Sequence, residues 1–138
     1  MISIADLHGT AREYLRAAKL LRTRHSYDAA AYLCGYAIEI ALKFRICRTL
    51  KWTAGFPETN SEFRSKGNLK THDLEVLLDY TGMQDRVRSV SSHGFLADWS
   101  TVIKWNPEER YNPRGTKTLS DADSMIASTQ ILLRILLQ

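Results

Sequence analysis

The sequence predicts an all-α protein, on three observations. Apolar residues recur at alternating spacings of three and four near both ends of the chain, the spacing that lines one face of an α-helix. From Ala29 to Leu42 only Gly35 and Glu39 fall outside the apolar set, within the stretch YDAAAYLCGYAIEIALKFRIC that runs from Tyr27 to Cys47. Ser, Thr, Asp, Gly and Pro stand between these stretches, where helix caps and breaks belong.

Residues 4 to 24 form the first predicted helix, with Ile4, Leu7, Ala11, Tyr14, Ala18 and Leu21 as one narrow apolar stripe. Arg12, Arg16, Lys19 and Arg22 lie on another side, readable either as a phosphate-contacting surface or as a solvated helix face. His25 and Ser26 break the chain before Tyr27 and Asp28 open the second helix. The two helices then fold back as an antiparallel hairpin at the core of the domain. The apolar run in the second helix is shorter than the roughly 17 to 25 residues of a membrane span, so it reads as a buried helix.

Lys51 to Lys70 carries Gly55, Pro57, Asn60, Ser61, Gly67 and Asn68 without helical period, and reads as a long loop with at most short turns. Its Trp52, Phe56 and Phe63 are expected to pack down, against the domain or a partner subunit. Thr71 is the expected cap of a third helix, with Leu74, Leu77 and Leu78 inward and Gly82 at its end. Phe95, Trp99, Val102 and Ile103 give a shorter helix that Pro107 stops. Asn106 to Thr118 reads as loop, and Ser120 as the cap of a last helix built on Ile126, Thr129, Leu132, Leu133 and Leu136. The result is a bundle of four main helices plus a short extra one, in a single domain over residues 1 to 138.

Composition narrows the chemistry. At 138 residues, 44 % of them apolar, the chain can build a core without disulfides. Cys34 and Cys47 lie thirteen positions apart on one helix, roughly 20 Å, too far to bridge or to share a closed zinc site. MISIADLHG lacks the basic start and long apolar stretch of a signal peptide, so the cytoplasm is the expected location, with no membrane partner. The net charge of +4 and pI near 9.2 suit a polyanion without demanding one. No Glu-x-x-His pair, Walker loop or Gly-x-Ser-x-Gly turn is present, which argues against di-iron, ATP-driven and triad hydrolase chemistry. No metal and no cofactor are expected.

An amphipathic helix, the Tyr27–Cys47 helix, KTHDLEVLL (Lys70 to Leu78), a Trp-rich stretch and WNPEERY (Trp105 to Tyr111) precede the last apolar helix. In this order the chain resembles HEPN domains, from about Ala5 to Leu137. The resemblance implies an all-α, often dimeric protein of a family that includes RNA-cutting toxins, partners of small nucleotidyltransferases and members of unknown activity. HEPN ribonucleases are similar to one another in an arginine followed four to six residues later by a histidine. Arg88 and His93 fit this, with Ser89 where the commonest form has Asn, Asp or His, and Arg86 fits at the upper limit. In that chemistry the guanidinium steadies charge on the phosphate and the histidine moves a proton, without metal. The resemblance places the pair opposite its copy in a homodimer; a plainer reading has His93 ending a short helix.

Glu39 needs a partner in its apolar helix, and WNPEERY offers Arg110 beside Tyr111. The two would clamp the Trp105 loop to the second helix or line a polar pocket for a nucleotide; Lys43, one turn on, is the other candidate partner. His72, beside Asp73, is expected to make local hydrogen bonds at a helix start. Two functions follow from the resemblance. One is a HEPN-type RNA-processing or RNA-binding protein of a defence or toxin–antitoxin system, acting as a metal-independent ribonuclease through Arg88 and His93. The other is a non-catalytic module that binds a nucleotidyltransferase-type antitoxin or a nucleotide.

Overall fold

The computed structural model describes the backbone of residues 1–89 and 95–138, and the side chains of these except 88, 89 and 95–97. Its helices are α1 (Ile4–Thr23), α2 (Tyr27–Leu50), α3 (Asn60–Phe63), α4 (Leu74–Thr81), α5 (Gln84–Ser89), α6 (Phe95–Ile103) and α7 (Leu119–Leu136). A 3₁₀ helix, Pro107–Tyr111, joins the last two. Among the described residues the chain is all-α, with one isolated antiparallel bridge between Ile2 and Phe56. The five expected helices are there. The short α3 and α5 and the 3₁₀ turn add to them.

α2 is apolar nearly all round, so it has to lie at the centre, and α1, α4 and α7 surround it. Ala30, Ala31, Ala37, Ile38, Ala41, Leu42 and Ile46 are fully or almost fully buried along it. Ala11 and Ala18 on α1 keep the hairpin close, and Leu7 fills its open end. Gly35 lets the indole of Trp105 rest directly on the helix, since a Cβ there would sit 2.2 Å from ring atoms. Cys34 and Cys47 are free and buried. Among the described residues no helix is long and apolar enough to cross a membrane.

Both long helices of the hairpin end in a left-handed residue that is not glycine. His25 (φ 62°) follows α1, and the Ser26 amide reaches back to the Leu21 carbonyl at 2.9 Å. Lys51 (φ 57°) follows α2, with the Trp52 amide on the Cys47 carbonyl at 2.9 Å. These closures satisfy carbonyls that the last turn leaves open.

Residues 51–70 fold down onto the domain. Ile2 and Phe56 exchange two backbone hydrogen bonds of 2.9 Å, Phe56 is fully buried, and Trp52 and Phe63 stack around it. Two caps differ from the sequence expectation. Asp73, not Thr71, opens α4, because its carboxylate accepts from the amides of both Glu75 and Val76. Thr118, not Ser120, opens α7, because Thr118 and Asp121 bond each other's amides reciprocally. α6 ends at Ile103, before Pro107, which instead begins the 3₁₀ helix under an Asn106 cap.

Candidate functional site

Tyr32, Tyr36, Glu39 and Lys43 stand on one face of α2, because helical spacings of four, three and four bring side chains over one another. The Tyr32 and Tyr36 rings meet edge to face at 5.2 Å, and Tyr36 leans on Trp105 at 4.9 Å. Hydrogen bonding to Tyr32, together with burial, pushes the Tyr36 hydroxyl up to about 12. Next along the face comes Glu39, only 2 % exposed.

The partner of Glu39 comes from 33 residues away. His72, in the segment that leads into α4, places Nδ1 2.5 Å from Glu39 Oε1, and Lys43 Nζ lies 3.4 Å from the same oxygen. An ionised carboxylate only accepts, so Nδ1 donates this hydrogen bond, and in the neutral ring Nε2 then carries the lone pair. The side chain of His72 is 60 % exposed and Nε2 has no hydrogen bond to a described residue. Burying one carboxylate is costly without donors, and here an imidazole N–H and an ammonium meet it. Lys43 also lies 5.4 Å from the centre of the Phe56 ring, so residues 51–70 close this end of the face.

Arg110 does not reach Glu39. It donates to the Pro107 carbonyl at 3.3 Å and lays its guanidinium 4.7 Å from the centre of the Tyr111 ring. The tight 3₁₀ turn aims it along its own segment, and His72 holds the position at Glu39. Of the two partners expected for Glu39, Lys43 is the one that forms. Hydrogen bonding to Tyr111 and then to Tyr32 raises the Arg110 pKa, so this cation stands at the Tyr32 end of the α2 face. Beside it is a recess of about 290 Å³ lined by Asp28, Tyr32, Arg110, Arg114 and Lys117 among others. Asp28 is committed to the amides of Gly115 and Lys117, both at 2.6 Å, and Tyr111 is 71 % exposed.

A second feature lies between α1 and α7. Arg12, Arg16, Lys19 and Arg134 border a groove floored by Leu15, Leu133 and Leu137, with a volume of about 490 Å³. Arg16 is paired with Glu13, and Arg22 leaves the strip to bind Asp123 on α7 at 2.8 Å. Gln138 lines one end of the groove. Its main-chain oxygen accepts from Arg45 at 2.7 Å, and its side chain accepts from Arg86 on α5. Burial first, and after it the nearby cations Arg86 and Arg48, lower the Arg45 pKa. The basic groove therefore runs on into an arginine cluster that includes Arg86.

Arg88 lies in α5, two residues beyond Arg86, but its side chain and the whole of His93 are outside the described residues. Among the described residues no group of His, Cys, Asp and Glu is placed to hold a metal ion. The spacing of Tyr32, Tyr36, Glu39 and Lys43 was open to a sequence reading as one helix face. No local signal pointed from His72 to Glu39. Compared with family models, with curated proteins and with solved structures, the chain finds no match in any of the three.

Proposed function

We propose that this chain is a HEPN-type RNA-binding and RNA-processing protein that works without metal, as a homodimer. The observation that carries the reading is the basic track from Lys19, Arg16, Arg12 and Arg134 through Gln138 to Arg45, Arg48 and Arg86. Cations that converge on one open groove fit a phosphate backbone, because each neutralised phosphate releases counterions. The track ends on the helix that carries Arg88, the arginine of the Arg88–His93 pair. The apolar floor of the groove, Leu15, Leu133 and Leu137, suits the sugar and base faces of a single strand.

Binding to a labelled single-stranded RNA across a salt series tests the reading. Wild type is expected to weaken steeply with salt. Arg12→Ala with Arg134→Ala lowers affinity and flattens the logarithmic salt slope by about 0.7 per cation removed. Salt-insensitive binding, or none, sinks the proposal. Cleavage in a chelator, compared with Arg88→Ala and His93→Ala, then separates a ribonuclease from a module that only binds RNA.

A further inference from the structure

We propose that His72, oriented by Glu39, is a proton-transfer residue for cleavage of an RNA phosphodiester on the Tyr32–Lys43 face of α2. The inference rests on RNA as the ligand class and adds a reacting group that the Arg88–His93 pair does not include. Its ground is the geometry of two segments distant in sequence. Glu39 is buried and rigid in the central helix, His72 is fixed on it through Nδ1, and the ring is 60 % exposed. A buried carboxylate that only needed neutralising already has Lys43 at 3.4 Å. The histidine adds a ring held through Nδ1 whose second nitrogen is open to a substrate.

The surroundings suit a nucleotide chain. Lys43 stands beside the dyad and Arg110 at the far end of the face, with the Tyr32 and Tyr36 rings between them. Tyr32 and Lys43 are eleven residues apart, about 16 Å along the helix, which leaves room for more than one nucleotide. Cations grip phosphates and aromatic edges and faces take bases without sequence preference. Lys43 and Arg45 are two residues apart and so about 200° apart round α2. The dyad and the Arg45 end of the basic track therefore lie on opposite sides of that helix.

The step balances on this chain's own groups. Neutral His72 takes the 2′-hydroxyl proton at Nε2 while the 2′-oxygen bonds to phosphorus. The bond from phosphorus to the 5′-oxygen breaks, leaving a 2′,3′-cyclic phosphate. The departing 5′-oxygen takes a proton from solvent, and the imidazolium returns its own to solvent. Glu39 is a positioning residue that holds the ring and favours the imidazolium as it forms.

The test uses the full chain, an end-labelled single-stranded RNA and a chelator, with binding and cleavage read separately. His72→Asn keeps a donor for Glu39 and removes the proton carrier. It is expected to cut cleavage about 10²- to 10⁴-fold at unchanged affinity, and added imidazole is expected to restore part of the rate to His72→Ala but not to speed wild type. Replacing the 2′-hydroxyl at the cut position by hydrogen should stop the reaction. RNA binding without cleavage by wild type overturns this proposal and leaves only the RNA-binding part of the proposed function standing; absence of binding overturns both. Equal cleavage by wild type and His72→Asn, or a loss that imidazole does not rescue and that comes with weaker binding or a lower melting temperature, assigns His72 a structural role only.

Discussion

At the scale of single residues, the positions that decide this molecule are those where a side chain's size or charge leaves one solution. Gly35 is such a position, because Trp105 occupies the space that any Cβ on α2 would take. Gly35→Ala is expected to force the indole and its loop off the helix, at a cost of about 1–3 kcal/mol. Thermal denaturation reads the loss, and an unchanged melting temperature would mean that the Trp105 loop shifts freely. Glu39 was legible in the sequence as an acid in need of a partner, and Lys43 followed from helical spacing. His72 did not, because contact across 33 residues depends on how the segment before α4 docks. Arg110 was misdirected toward Glu39 for the same reason: a sequence shows that a cation is available, not the direction in which a 3₁₀ turn aims it.

At the scale of elements, the helices and several of their ends were readable, and the caps that open α4 and α7 were not. α1 and α7 follow the pattern of three and four and α2 is apolar nearly all round; the expected break at His25 and Ser26 and the expected loop from Lys51 fall where α1 and α2 end, each with a left-handed residue that is not glycine. Their left-handed turns are imposed by the hairpin and by the packing of residues 51–57. The capping box of α7 yields a prediction. Thr118→Ala is expected to cost about 1 kcal/mol. The Thr118 amide and then its hydroxyl hold the Asp121 carboxyl below its ordinary 3.8. A carboxyl depressed in the folded state contributes stability above its unfolded value and loses it as pH falls through the folded one. Asp121→Asn should therefore melt lower than wild type at neutral pH, and the gap should close as the solution is made more acid than pH 3.8. A gap that persists in acid would assign the effect to shape rather than charge.

At the scale of the whole molecule, one core runs through α2 and takes in both thiols. Burial pushes Cys34 and Cys47 each up to about 11. Only thiolate reacts readily, so both thiols are expected to resist a disulfide reagent at neutral pH until denaturant unfolds the chain, and then to react together. Fast reaction of one thiol in native buffer would reveal local opening of the core beside it. The same core places the two polar features of the surface, since α2 offers one flank to α1 and α7 and the other to α4 and the 3₁₀ turn.

By itself the sequence determined the all-α class, the burial of the Tyr27–Cys47 helix and the need to satisfy Glu39, because hydrophobic period and the cost of a buried charge act locally. Only the tertiary structure decided that His72 meets Glu39, that Arg110 turns to Tyr111, and that α1, α7, α2 and α5 bring their arginines into one track. Those outcomes depend on which distant segments lie side by side, and helical period carries no information about that.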